Sequence, residues 1–547
     1  MTVTTADPPH VAAARRPWQE VVADKRQAQA DAIAAYLAKN YVVRDPTIVD
    51  EPDIAALAAS MASGDVRAQD VAAAYIDRCI TAHKKTNCLT EILFDEAMAR
   101  AQQLDAHLAA HGTPVGPLHG VPMTLKDQFD VAGHDSTLGY VGRAHQPAAD
   151  SCVLVRLLLE RLGAVVLAKT NLPQSIMWCE TANPLWGRTT HPRDARYTPG
   201  GSTGGEAALL SEKGSAVGWG TDIGGSIRIP AHMMGLYGLK PSSARLPYTG
   251  VAVSTEGQEH VPSSVGPLAR SLASVRAVME ALAGEKPWTV DARCAPLPWR
   301  HELYDGTIAR PLTVGVLWDD RVVRPHPPLA RVLRQTVALL RAAGHDVFDW
   351  DPALLHADLV ALQDAYYGAD GGEDIRRDVA AGGEPMIPHV ARLIARGGPA
   401  VSVYEYWQLN RRKWALQQAY LHQWNTAASP TTGRTADVLL LPPMPHMAVP
   451  HDGCRWVGYT KVWNTLDYPA LVLPAGRVEA QDCAAAWPVG EARNDTDAWN
   501  AALWSDNKAD MLALALPVGV QVVGRKLEEE TVLAAGKVID DLVRQAL

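Results

Sequence analysis

Three side chains have the types and settings that acyl chemistry needs: Lys126 in Thr124-Leu125-Lys126-Asp127, Ser202 in Gly200-Gly201-Ser202-Thr203-Gly204-Gly205, and Ser226 in Gly224-Gly225-Ser226-Ile227-Arg228. A serine hydroxyl attacks a carbonyl only when a base takes its proton. The chain has 18 histidines, yet none stands in a local constellation with either Gly-rich serine. A lysine serves instead if burial destabilises its ammonium, leaving the amine neutral near pH 7. Lys126 closes the apolar run Val121, Met123, Leu125. Ahead of Ser226, Gly224 and Gly225 tolerate dihedrals closed to other residues, so that several N–H groups can turn toward one point. Donors fixed in this way form an oxyanion hole, each contributing about 3 to 4 kcal/mol. Taken singly, each residue also has a plainer reading: Ser226 as a solvated turn hydroxyl, Lys126 as a strand-end lysine reaching for solvent.

Competing motifs fit less well. Gly200 to Gly204 matches the nucleophile elbow G-x-S-x-G with Ser202 as nucleophile, but that turn needs an apolar strand upstream, and residues 191–199 are polar and broken by Pro192 and Pro199. No HExxH, GxxxxGK[ST], EF-hand loop or strand-to-helix GxGxxG occurs.

Something must position these residues. The alternation before Lys126 predicts a strand, followed by an amphipathic helix over 151–162 and an apolar strand over 164–168, the texture of a sheet covered by helices. Residues 198–230 hold nine glycines in 33, a density that lets backbone approach something closely. Downstream, the patterns predict a helix over 272–283, a strand over 313–317, a helix over 329–343 and a strand over 346–350. An almost wholly helical stretch over 354–427 precedes strands over 438–441, 470–473 and 518–523. Upstream, one or two helices are expected in the first ~45 residues, and helical patterning continues over 53–108. The expected class is α/β, a mixed sheet with helices on both faces.

Composition narrows the function classes. At 547 residues the chain is several times the usual domain of ~150, which suggests several domains or one large α/β unit. A net charge of −9, spread along the chain, argues against nucleic acid and anionic lipid as partners. The seven cysteines are scattered and form no CxxC, so neither a disulfide framework nor a zinc site is expected. No signal-peptide pattern and no long uninterrupted apolar run is seen, which points to a cytoplasmic protein without a membrane anchor. The aromatic surplus is polar-tipped, 16 Trp and 15 Tyr against 3 Phe. Trp407, Trp414 and Trp424 fall in the 354–427 stretch, where they would either pack between helices or line a channel.

Together, Lys126, Ser202 and Ser226, the two serines 24 residues apart, resemble the amidase signature family, whose members hydrolyse carboxylic amides with a Ser/cis-Ser/Lys triad. The resemblance spans about residues 50–547 and includes Lys169-Thr170-Asn171-Leu172-Pro173-Gln174 and Leu516-Pro517-Val518-Gly519-Val520-Gln521. Met177-Trp178-Cys179-Glu180, Gly205-Glu206 and Trp463 to Pro469 look most like the acetamidase and fatty-acid-amide-hydrolase-like branch.

The resemblance implies one large amidase fold over 51–547, with 1–50 as an N-terminal helical extension and the 354–427 insertion roofing the substrate pocket. It assigns Lys126 as base, Ser202 as relay after a cis Gly201–Ser202 peptide, and Ser226 as the nucleophile that is acylated. The N–H groups of Ile223, Gly224, Gly225 and Ser226 would hold the oxyanion. Asp222 and Arg228 would brace the loop, an ordinary local ion pair being the plainer reading. Thr203 stands where many members carry a second serine; its hydroxyl can keep the hydrogen-bonding role while its methyl crowds the network. Met177 and Trp178 would border the acyl pocket. No metal or cofactor is implied. The partner is a small-molecule amide, with esters and carbamates open to the same chemistry, and the chain would be a monomer or homodimer. The alternatives are a glutamine-hydrolysing subunit that delivers ammonia to a companion chain and a non-catalytic scaffold on the same fold.

Overall fold

The run that carries Lys126 is a strand, third from one edge of an eleven-stranded sheet. The computed structural model describes residues 16–352, 355–485 and 492–546. In chain order the strands are β1 (Leu89–Ile92), β2 (Pro122–Lys126), β3 (Val165–Thr170), β4 (Val217–Asp222), β5 (Tyr237–Lys240), β6 (Ser264–Ala269), β7 (Thr313–Val316), β8 (Asp346–Asp349), β9 (Val438–Leu441), β10 (Ala470–Arg477) and β11 (Pro517–Val523). Their spatial order is β1-β3-β2-β4-β6-β5-β10-β11-β9-β7-β8. The β3-β2-β4 and β9-β7-β8 sets are parallel, and the strands between them pair antiparallel. Every residue of β2, β3, β4 and β6 is buried, which is why these strands do not read as half-polar: helices cover both faces.

The parallel register positions the site. Lys126 lies opposite Thr170, and Leu125 opposite Trp219, so the carboxyl ends of β2, β3 and β4 reach one edge together. That edge is where ligands bind in α/β sheets. Helix Gly204–Ser211 follows the Ser202 loop, and helix Arg228–Met234 follows the Ser226 loop at the end of β4.

Several sequence expectations change. β1 interrupts the helical patterning of 53–108, and β4, β5 and β6 are strands that the Gly-rich texture concealed: Val217-Gly218-Trp219-Gly220 offers too few side chains for an alternation to show. The 354–427 stretch is four helices, Leu355–Tyr367, Glu373–Gly382, Pro388–Gly397 and Val403–Thr426, separated by glycines in left-handed backbone at Gly372, Gly383 and Gly398. Residue 354 at its start, and residues 1–15 of the expected extension, lie outside the described residues. The extension contributes helix Trp18–Ala38, anchored where Lys25 sits between Glu91 (2.7 Å) and Asp135 (2.6 Å). No helix among the described residues is long and apolar enough to cross a membrane.

The tryptophans divide. Trp424 is wholly buried in a second core with Trp350, Tyr420, Trp463 and Tyr468. Trp407 (59% exposed) and Trp414 (63% exposed) neither pack nor line a channel, because the Val403–Thr426 helix turns them to solvent. The scattered cysteines also mislead. Cys179 and Cys454 form a disulfide, Cα atoms 6.5 Å apart across 275 residues of sequence, because folding sets their two loops face to face.

Candidate active site

Lys126 ends β2 fully buried, and its Nζ donates to Ser202 Oγ (2.7 Å) and Thr221 Oγ1 (3.0 Å). Thr221 in turn donates to Gln128 Oε1 at 2.7 Å. Burial pulls the Lys126 ammonium down to about 7, the negative charges of Asp222 and Glu206 offsetting only part of the desolvation. Glu206, two residues into the Gly204–Ser211 helix, is itself pushed up to about 8 by burial, although Thr124 (2.6 Å) and Thr170 (3.0 Å) donate to its carboxyl.

Ser202 is presented by a cis Gly201–Ser202 peptide. A side chain at Gly201 would meet the backbone N (2.7 Å) and O (2.6 Å) of Glu180, so the loop can press against this segment only with glycine there. Gly225, at φ 131°, lets the chain turn into Ser226. The two serine loops are stitched by Thr203 N donating to Ser226 O at 3.1 Å. Among the described residues no hydrogen bond joins Ser202 Oγ to Ser226 Oγ, an open geometry common in catalytic groups without substrate.

The loop over 222–228 is braced from its own ends and from distant elements. Arg228 forks onto both carboxylate oxygens of Asp222 (Nη2–Oδ1 2.8 Å, Nε–Oδ2 3.0 Å), with both side chains wholly buried. Burial alone would raise the Asp222 carboxyl; the Arg228 charge and donors from Arg228 and Asn464 outweigh it and hold the group well below the usual carboxylate range. Arg228 also donates to Asn464 Oδ1 (2.7 Å), Thr460 O (2.9 Å) and Gln521 Oε1 (2.9 Å). The pair is thus the hub of a network from four elements rather than an ordinary local contact.

Carbonyls of the loop are pinned as well. Ile223 O accepts from Gln363 (2.6 Å) and Tyr367 (2.9 Å), and Gly224 O accepts from Thr460 Oγ1 (2.7 Å). Two expectations need correction here. The Gly225 N–H is already donated to Asp222 Oδ1 at 2.8 Å, which removes it from an oxyanion hole; among the described residues the N–H groups of Ile223, Gly224 and Ser226 have no acceptor. Among the described residues Thr203 makes no side-chain hydrogen bond either: its Oγ1 is buried without a partner there, and its methyl is accommodated by the bare Cα of Gly220.

Ser226, 8% exposed, opens into a cavity of about 210 Å³ lined with Gly201, Ile223 and Gly224. Met177 and Trp178 line the same cavity, Trp178 stacking on His389 at 4.2 Å. Val360, Asp364, Tyr367, Leu393 and Arg396 line it from the Leu355–Tyr367 and Pro388–Gly397 helices. Glu180, His389 and Asp452 converge nearby with ligand atoms within 4.8 Å of one another. In this arrangement His389 offers a metal no free lone pair. Both Glu180 oxygens accept backbone N–H groups (2.8 and 2.9 Å), and Arg392 donating to His389 Nδ1 (2.6 Å) places the ring proton on Nε2, facing Asp452 (2.9 Å).

Residues that sequence reasoning did not single out include Thr221, Gln128 and Glu206 around Lys126, and Gln363, Tyr367, Thr460, Asn464 and Gln521 around the 222–228 loop. Thr221 and Glu206 stood inside the Gly-rich motifs. Asn464 and Gln521 lay in segments that carry the family resemblance, though no role was read for them; Gln128, Gln363, Tyr367 and Thr460 carry no local signal, since their role exists only across the fold.

Comparison with known proteins agrees with this geometry. The family described as Amidase matches residues 70–533. The chain is 50% identical over 529 residues to Amidase 1 of Gibberella moniliformis, covering 96% of this chain and 100% of that one. It is 36% identical over 555 residues to an acetamidase of Emericella nidulans, covering 96% and 98%. Among solved structures, a fatty acid amide hydrolase superposes with a TM-score of 0.83 at 29% identity, over 97% of this chain and 91% of that one. With a family match over most of its length and relatives that align almost end to end, the chain belongs to the amidase family of amide-hydrolysing enzymes.

Proposed function

We propose that this enzyme hydrolyses carboxylic amides through an acyl-enzyme on Ser226, with Ser202 as proton relay and Lys126 as base. The observation that carries the reading is a wholly buried lysine, brought down to about 7, donating at 2.7 Å to a serine whose loop is bonded to that of Ser226.

The neutral Lys126 amine takes the Ser202 proton while Ser202 Oγ takes that of Ser226. Ser226 Oγ bonds to the carbonyl carbon, and the C=O electron pair moves to oxygen, where the free N–H groups of Ile223, Gly224 and Ser226 meet it. Collapse breaks the C–N bond; the leaving amine receives its proton from Lys126 through Ser202. Water then adds to the acyl-enzyme, gives its proton to the same relay, and releases the carboxylic acid with Ser226 restored. Met177 and Trp178 supply apolar wall for the substrate. Esters and carbamates pass through the same tetrahedral geometry.

Ser226→Ala tests the assignment. A loss of about 10³-fold or more in kcat against a simple amide is expected, and a folded variant that kept the wild-type rate would overturn it.

A further inference from the structure

The cavity beside Ser226 has a lining of mixed character. Ile176, Met177, Ile229 and Val457 give it apolar wall; three cationic side chains also line it, the exposed Arg396 and Arg455 and the buried Lys461, with a single carboxylate, Asp364. Lys461 and Asp364 neutralise each other at 2.5 Å. Arg396 and Arg455 remain, both exposed, and among the described residues neither forms an ion pair. The nearby Asp452 is engaged by Arg188 (3.5 Å) and His389 (2.9 Å). This is not for want of acids, since the chain carries 60 Asp+Glu to 51 Lys+Arg.

Each arginine is held by a different element. Arg455 follows the disulfide-linked Cys454 and lays its guanidinium over the Trp499 ring at 3.4 Å, which orients the fork while leaving its N–H edges available. Arg396 closes the last turn of helix Pro388–Gly397, at the edge of the roof. Two unpaired planar forks in one cavity lining match the bidentate geometry of a carboxylate. A local excess of positive charge on a protein of net charge −9 also draws anions to this cavity against the overall field.

The geometry points to a substrate class: short amides that carry a carboxylate at the end remote from the scissile bond, received by Arg396 and Arg455 while the amide carbonyl reaches Ser226. The inference rests on the amide hydrolysis proposed above. Ser226, Arg396 and Arg455 line one cavity of about 210 Å³, so the spacer between amide and carboxylate is short.

The test compares matched pairs, succinamate, glutaramate and adipamate against pentanamide, hexanamide and heptanamide, in wild type, Arg396→Met, Arg455→Met and the charge-keeping Arg455→Lys. Wild type is expected to favour the acid member of at least one pair in kcat/KM, with the preference shrinking as ionic strength rises. Each Arg→Met change lowers the acid-to-neutral ratio about fivefold, the scale of one exposed ion pair, mainly through KM, and Arg455→Lys restores part of it. Equal rates for acid and neutral members in wild type, insensitive to salt, would overturn the inference while leaving amide hydrolysis standing; that wild-type comparison decides even if a variant fails to fold. No turnover of either member, nor of longer or aromatic neutral amides, would instead count against the proposed hydrolysis itself.

Discussion

At the scale of single residues, the protonation of Lys126 controls the proposed chemistry. The amine must be neutral, and burial sets its pKa at about 7, so kcat/KM should fall on the acid side with a limb centred near that pH. A rate flat down to pH 5 would rule out a lysine base. Glu206, its own carboxyl pushed up to about 8, is largely protonated across that limb, so Glu206→Gln should leave the position of the limb nearly unchanged. The same shift affects stability. Between about 7 and the ordinary lysine value of 10.5 the unfolded chain holds a proton that folded Lys126 lacks, so this group's contribution rises with pH through that window. Lys126→Met should flatten that rise when urea midpoints are compared at pH 7 and pH 10.

At the scale of elements, the 222–228 loop depends on partners from across the sheet. Arg228→Met leaves the Asp222 carboxylate buried without its counter-charge, and a loss of about 3–5 kcal/mol in urea unfolding is expected. Gln363→Leu with Tyr367→Phe acts differently. It frees the Ile223 carbonyl, which both side chains hold from the Leu355–Tyr367 helix. The peptide planes that aim the donors then loosen, and kcat should drop about 10- to 100-fold with KM changed far less. An equal rise in KM would show that these residues act on binding instead.

At the scale of the whole molecule, the loops that carry Ser202 and Ser226 adjoin one continuous sheet, and the Cys179–Cys454 disulfide ties two segments of the cavity lining together. Cys179→Ser with Cys454→Ser should cost about 2–4 kcal/mol of stability. Because Trp178 and Arg455 adjoin the two cysteines, KM should rise as well; wild-type protein under a reductant should reproduce both effects, and a reductant effect that persists in the double variant would assign them to another cause. The exposed Trp407 and Trp414 give a contrasting expectation: their replacement by Gln should leave stability within about 0.5 kcal/mol, the usual range for surface sites.

The sequence by itself pointed to Lys126, Ser202 and Ser226 as the candidate trio, because the Gly-rich loops and the lysine closing an apolar run are local patterns, and the family resemblance assigned them the chemistry proposed above. It also carried the α/β class and most of the later strands and helices, whose apolar periodicity is local too. Only the tertiary structure decided which N–H groups remain free for an oxyanion, because the Gly225 N–H is claimed by a carboxylate whose position depends on Arg228 and Asn464. The parallel register of β2, β3 and β4 brought Lys126 to Ser202, and burial among them, not residue type, lowered its pKa. The disulfide and the two arginines of the cavity lining likewise emerged only in three dimensions. Each joins or faces residues hundreds of positions away, and no one-dimensional pattern records such a meeting.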